Sequence, residues 1–354
     1  MNLVETLAVE IGVRQCGTEA AARAAEAIAD AFRSLGLEPR FQEFPLLGFD
    51  AEEPELWIDG ERWPAGPCMY AHPGECEGEV RRLSDGIWAV GEGRLVRSLF
   101  GKGPIPFFGG TSAGGYVASP PTAFLSRADS ERIRDGQHAR LVVRGEYVPG
   151  RRDRNVVAEL PGASDEVVVV GAHFDSVWRG NGAIDNATGV EGLRRVAERL
   201  VGREHPRTLQ FVAFAAEEIG LIGARRFVTE ARERGELEKI AGMVNLDCIG
   251  HGEKLELLCA PEALRERTEA TARRLGLYER YDVVTEFTED AGTDHLPFAQ
   301  AGVPALSILH FPYEEYHLPE ESPALVDERL MADAVELAVA MVEGLLADPV
   351  PRTA

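Results

Sequence analysis

The sequence runs to 354 residues, 45% of them hydrophobic and 27% charged, an ordinary globular composition that excludes disordered, collagenous and coiled-coil chains. At about 150 residues per domain, that length suits two units, or one large α/β unit carrying an insertion. Lys and Arg number 37 against 59 Asp and Glu, a formal net charge of −22, and such a field repels nucleic-acid backbones and anionic membrane surfaces.

Met1-Asn2-Leu3-Val4-Glu5 lacks the basic and apolar regions of a secretory signal. The first predicted element is a helix over Glu19–Leu35. Thr18 stands at its N-cap, Ala24, Ile28, Phe32 and Leu35 form an apolar stripe, and Gly36 supplies the stop. A strand is expected at Arg40–Phe44. From Pro45 to Gly150 glycine, proline and tryptophan become frequent and helical periodicity is lost, which predicts a β-rich insert between residues 1–44 and 151–354. Within it, Leu56–Trp63 reads as a hairpin with an Asp59-Gly60 type I′ turn, and Ser126–Arg134 as a short helix.

Beyond the insert, strand-like and helical stretches alternate. The expected strands are Asn155–Leu160, Val167–His173, Thr208–Ala215, Met243–Asp247, Leu255–Cys259 and Ala305–Phe311. The expected helices are Ala187–Val201, Ile219–Arg234, Pro261–Leu275 and Asp327–Leu346. This alternation predicts a three-layer α/β/α fold around a central sheet. No apolar run reaches membrane-spanning length. Cys16, Cys68, Cys76, Cys248 and Cys259 are odd in number and have no C-x-x-C spacing. They therefore read as reduced thiols of a cytoplasmic protein, not as a disulfide framework or a thiolate zinc site.

Polar residues suited to metal binding collect where these strands end, the usual place for function in open α/β sheets. His173 and Asp175, two apart, share a face of an extended chain, so a ligand with a carboxylate behind it is one reading and a core histidine the other. Asp185 lies in a glycine-bounded turn, where an N-cap is the plainer reading. Glu217 and Glu218 close an apolar strand. Helix first turns also favour acids, yet adjacent carboxylates point apart and can divide ligand and proton-transfer roles. Asp247 leaves a further apolar strand, and His317 follows Tyr316 in a loop. Together these are N and O donors without thiolate, which suit zinc ahead of manganese or cobalt. Their number suits two ions.

The stretches GAHFDS (171–176), GAIDNATG (182–189), FAAEEIGLIGA (214–224), NLDCIG (245–250), TDHLPFAQAGVPA (293–305) and YHLPEES (316–322) resemble, in order, those of the co-catalytic dizinc aminopeptidases. That group includes bacterial leucyl aminopeptidase, glutamate carboxypeptidase II and glutaminyl cyclase. The resemblance implies that His173 and Glu218 bind separate zincs, Asp185 bridges them, and Asp247 and His317 complete the two sets. It further implies Glu217 as general base, Asp175 orienting His173, Asp294 supporting the site, and small peptides with a free N-terminus as substrates. The chain departs from the family pattern at Glu321, where an Asp is usual, and the carbonyl-polarising tyrosine has no unambiguous counterpart, Tyr313 and His310 being the candidates. The insert sits where larger members carry a protease-associated domain, and as a lid it would restrict access to short peptides.

Competing readings stay open. Glutaminyl cyclase chemistry uses similar residues with one zinc. A binding scaffold would keep the fold without the metals. Gly110-Thr111-Ser112-Ala113-Gly114 matches the serine-hydrolase G-x-S-x-G pattern, but it lacks the preceding strand and following helix of a nucleophile elbow.

Overall fold

A computed structural model describes residues 2–98, 101–104, 107–108, 120–285 and 292–352. Its centre is an eight-stranded mixed sheet. In chain order its strands are β1 (Arg40–Ala51), β2 (Gly145–Leu160), β3 (Val167–His173), β4 (Thr208–Phe214), β5 (Ile240–Leu246), β6 (Lys254–Ala260), β7 (Val283–Val284) and β8 (Ala305–Phe311). The spatial order is β1-β2-β4-β3-β5-β8-β6-β7, with β4, β3, β5 and β8 mutually parallel.

The helices around this sheet include α1 (Glu19–Ser34), α2 (Gly189–Leu200), α3 (Ile222–Glu233), α4 (Glu262–Arg274), α5 (His295–Gln300) and α6 (Glu328–Ala347). They cover both faces of the sheet. Parallel strands buried on both sides carry continuous apolar runs, and the side chains of β3 alternate accordingly. Val168 and Val170 pack in one cluster with Phe32, Val190, Leu193 and Met331. Val169 packs in another with Val212, Phe214, Phe227 and Phe298. The three-layer α/β/α fold expected from the sequence is the one observed. Among the described residues no helix is long and apolar enough to cross a membrane, and all five cysteines are free and buried.

Local signals account for most boundaries. The Thr18 hydroxyl accepts the Ala21 N–H at 3.2 Å, capping α1, and Gly36 follows its end at φ 82°. The strand expected to stop at Phe44 instead runs through Pro45 to Ala51, paired antiparallel with β2. Proline is tolerated there because β1 is the sheet edge, where one row of N–H groups needs no partner. The helix expected from Ile219 begins at Ile222, since residues 215–221 form a loop. The six-residue α5 carried no periodic signal, with Pro297 inside it.

After Ala51 the chain enters a second, nine-stranded sheet, returning at Gly145. This sheet has its own core of Leu56, Trp63, Val80, Trp88, Leu95, Leu125 and Leu141. Its first hairpin turns at Asp59 (φ 50°) and Gly60 (φ 82°), the two positive angles of the expected type I′ turn.

Tight packing reaches the strand that leads into the candidate site. A Cβ on Gly171 would lie 2.5 Å from the Phe214 ring and 3.0 Å from the Met243 methyl. Gly171→Ala is therefore expected to lower stability by about 1–3 kcal/mol through overpacking. Urea unfolding measures this, and an unchanged midpoint would refute the close fit.

Candidate metal centre

The parallel strands deliver their polar residues at their carboxyl ends. His173 is the last residue of β3, Glu217 and Glu218 follow β4, and Asp247 follows β5 directly. Asp185 lies between β3 and α2, and His317 lies in the loop after β8. These sequence-distant groups converge. His173 Nε2 lies 3.0 Å from Asp185 Oδ1, 3.5 Å from Asp247 Oδ1 and 3.9 Å from Glu217 Oε2. His317 Nε2 lies 3.1 Å from Asp185 Oδ2 and 3.2 Å from Glu218 Oε2. The Asp185 carboxylate thus turns one oxygen to each histidine. His173, Asp185 and Asp247 form one trio whose ligand atoms all lie within 4.8 Å of one another, and Asp185, Glu218 and His317 form another. A third grouping joins His173, Glu217 and Glu218.

Buried side chains fix each of these loops. Gly182, at φ 60°, precedes the Asp185 turn, and a Cβ there would meet the Asp185 carbonyl at 2.4 Å. Glu321 Oε1 accepts the N–H groups of Ile184 (2.7 Å) and Asp185 (2.8 Å). Asn186, joined to Asp185 by a cis peptide, donates to Leu246 O at 3.0 Å and accepts from Cys248 N at 3.1 Å, which ties this turn to the end of β5. The Glu217–Glu218 loop hangs between two side chains. Asp175 accepts both of its N–H groups, at 3.0 and 3.3 Å. Asn155 accepts from Ala215 N (3.0 Å) and donates to Gly223 O (2.9 Å), clipping the two ends of the loop together.

Left-handed backbone angles also gather here: Ala216 at φ 58°, Cys248 at φ 50° and His317 at φ 59°. Such conformations cost about 1–3 kcal/mol each and persist where surrounding packing imposes them.

Electrostatically the cluster is overloaded with acid. Burial raises the Glu217 and Asp294 carboxyls well above their usual range, the neighbouring carboxyls adding to it. Burial brings Glu218 to about 7. For His317, Glu218 and Asp185 outweigh burial and raise the imidazole to about 10. For Asp185, burial is outweighed by hydrogen bonds to His173 and His317, which hold the carboxyl well below its usual range. His173 Nδ1, Glu218 Oε1 and both Asp294 oxygens are buried without a hydrogen-bond partner. Groups in that state are costly unless paired or bound to a cation. Imidazole and carboxylate donors without thiolate suit zinc, and cationic charge here would relieve the crowding. The residues present fit a zinc centre.

The remaining sequence candidates fall in different places. Asp175 is fully buried; its hydrogen bonds go to the Glu217–Glu218 backbone, and it lies 3.6 Å from His173 Nδ1. Asp294 is buried, and His173, Asp247, Asp175 and Glu218 all act on its charge. The Tyr313 hydroxyl donates to Glu321 Oε2 at 3.2 Å, so Tyr313 backs the carboxylate that holds the Asp185 turn. His310 is not brought to the cluster. Its Nδ1 faces Ile249 O at 3.1 Å, its ring packs edge-on against Tyr281, and its acidic neighbours are Asp327 and Asp333. The reason is register: His310 lies within β8 opposite Leu255, short of the loop that turns back over the site. The Gly110–Gly114 pattern lies outside the described residues.

Three supporting residues carried no sequence signal of their own. Asn155 reads only as a strand start. Tyr316 stacks on the His317 ring at 3.8 Å between centroids. Arg14, fully buried, donates to the carbonyls of Phe174, Asn181 and Gly182 and so joins the loops that follow β3.

Residues 155–342 match the profile of Peptidase family M28. Aminopeptidase YwaD of Bacillus subtilis is 23% identical, across 99% of this chain and 86% of that protein. The structure of BSAP, a zinc aminopeptidase from Bacillus subtilis, matches with a TM-score of 0.72 at 20% identity, covering 97% of this chain and 93% of that one. An Acidobacteriales bacterium glutaminyl cyclase matches with a TM-score of 0.59 at 18% identity, covering 98% and 93%. At these identities the structural matches speak to the fold.

Proposed function

The chain belongs to peptidase family M28, and on that premise we propose that it is a zinc aminopeptidase that holds two zinc ions and releases residues from peptides with a free N-terminus. The observation that carries the reading is the Asp185 carboxylate, with one oxygen 3.0 Å from His173 and the other 3.1 Å from His317. A carboxylate so placed suits two cation sites that share one ligand. His173, Asp185 and Asp247 would hold one ion, and Asp185, Glu218 and His317 the other. Zinc would polarise the scissile carbonyl and lower the pKa of the attacking water.

The chain's own residues do the rest. Glu217, beside both trios, accepts the water's proton on its carboxylate and delivers it to the leaving amine nitrogen. Asp175, through the Glu217 and Glu218 N–H groups, fixes where that carboxylate stands. Glu321, through the Ile184 and Asp185 N–H groups, fixes the turn that carries Asp185. The half-buried Tyr316, stacked on His317, limits rotation of that imidazole. The surplus acidic charge around the trios attracts a substrate's protonated α-amine. The curated relatives matched by sequence are named as aminopeptidases, which supports this reading over glutamine cyclisation.

Mass spectrometry of a peptide mixture incubated with zinc-loaded protein tests it. The mixture holds free, acetylated and glutamine N-termini. Stepwise loss of first residues from the free peptides alone is expected. Loss of ammonia from the glutamine peptides without cleavage would replace the reading with a cyclase, and shortening of the acetylated peptides would remove the requirement for a free amine.

A further inference from the structure

We propose that Lys102 and Gly103, which belong to the segment forming the nine-stranded sheet, are positioning residues for His317, strapping the turn that carries it. The inference rests on the two-zinc reading for its consequence but not for its geometry. Beyond the strand Gly93–Arg97, Lys102 and Gly103 lie against the loop after β8. There the Lys102 N–H donates to the Glu314 carbonyl at 2.9 Å. Lys102 Nζ pairs with Glu315 Oε1 at 2.9 Å. Gly103 lies so close to Leu318 that a Cβ would stand 2.6 Å from Leu318 Cδ2 and 2.9 Å from Cδ1. Contacts from this one strap thus bracket Tyr316 and His317 on both sides. The turn itself is closed by the Leu318 N–H donating to Glu315 O at 2.9 Å.

The turn needs outside support because His317 sits at φ 59°, a left-handed conformation that a histidine keeps only where its surroundings impose it. Tyr316 stacks on the ring, but this contact comes from inside the turn. The Lys102–Glu315 pair is partly exposed and weak by itself, so the packing of Gly103 on the buried Leu318 is the firmer element. Its loss would let the turn relax and carry His317 Nε2 away from Asp185 and Glu218. His173, on β3, and Asp247, directly after β5, would stay in place.

Gly103→Val tests this directly. Gly103 has no positive φ, so a side chain there meets Leu318 and not a backbone penalty. In metal-free protein, amide hydrogen exchange at Leu318 and Glu321 is expected to rise at least about tenfold while the β3 amides are unchanged. Zinc titration against a chromophoric chelator is expected to show one equivalent at wild-type affinity and one weakened about 10–100-fold, the usual consequence of losing a ligand's outer support. Gly103→Val/Leu318→Ala, which restores space, should recover most of both effects.

Unchanged exchange at Leu318 and Glu321 would overturn the strap whatever the zinc result. Equal weakening of both equivalents would overturn its specificity for His317. If Gly103→Val does not fold, Lys102→Glu replaces it, expected to raise exchange and to be rescued by the swapped pair Lys102→Glu/Glu315→Lys; absence of rescue overturns the proposal. Wild-type protein that binds fewer than two equivalents refutes the two-zinc reading instead, and the exchange measurement still decides the strap.

Discussion

Glu217→Gln is expected to bind zinc as the wild type does while kcat falls at least about a hundredfold, the usual contribution of a positioned general base. The substitution keeps the size and planarity of the side chain and removes only its capacity to take a proton. The two trios that share Asp185 do not include Glu217, so their donor atoms are untouched. The Glu217 N–H still donates to Asp175 at 3.0 Å, so the loop carrying Glu218 keeps its support. Zinc equivalents and steady-state kinetics on a peptide the wild type cleaves are the two measurements. Turnover within a few-fold of wild type would place the base elsewhere. Loss of a zinc equivalent would instead favour the grouping of His173, Glu217 and Glu218 and make Glu217 a ligand.

That two neighbouring glutamates reach the cluster was legible in the sequence because their placement rests on local geometry. Successive side chains at a strand end point apart, and a strand such as Phe211–Phe214 announces itself by its apolar run. The central strands and the turn at Asp59-Gly60 were legible for the same reason. The supports of the site were not. Asn155 holds the Glu217–Glu218 loop from 60 residues away in sequence, and Arg14 ties carbonyls 160 to 168 residues distant. An asparagine at a strand start or an arginine in a loop carries no periodicity, and only the fold decides what it meets. His310 shows the converse. Its residue type suited the role, but its register on β8 turns it toward Tyr281 and Ile249. The strand expected to end at Phe44, where composition turns rich in glycine and proline, continues to Ala51 because it lies at the sheet edge, where Pro45 is tolerated.

Asp185 has the largest expected effect of any single substitution. Asp185→Ala removes a carboxylate that lies within 3.0–3.1 Å of both histidines, so both zinc affinities should fall together, each by at least about a thousandfold, since loss of a ligand's outer support already costs about 10–100-fold. Activity should drop below detection with them. His317→Ala is the contrasting variant, because His317 belongs only to the trio with Asp185 and Glu218, and it should lose one equivalent while keeping the other. A thermal readout separates binding from folding. Ligands that bind only the folded state raise its melting temperature, so zinc should stabilise wild type strongly, His317→Ala less and Asp185→Ala hardly at all. The metal-free melting transition of Asp185→Ala checks its folding, where relief of acidic crowding opposes the loss of two ion pairs. Retention of two tight equivalents by Asp185→Ala would show that the two trios act as independent sites, and the shared carboxylate would lose its place in the mechanism.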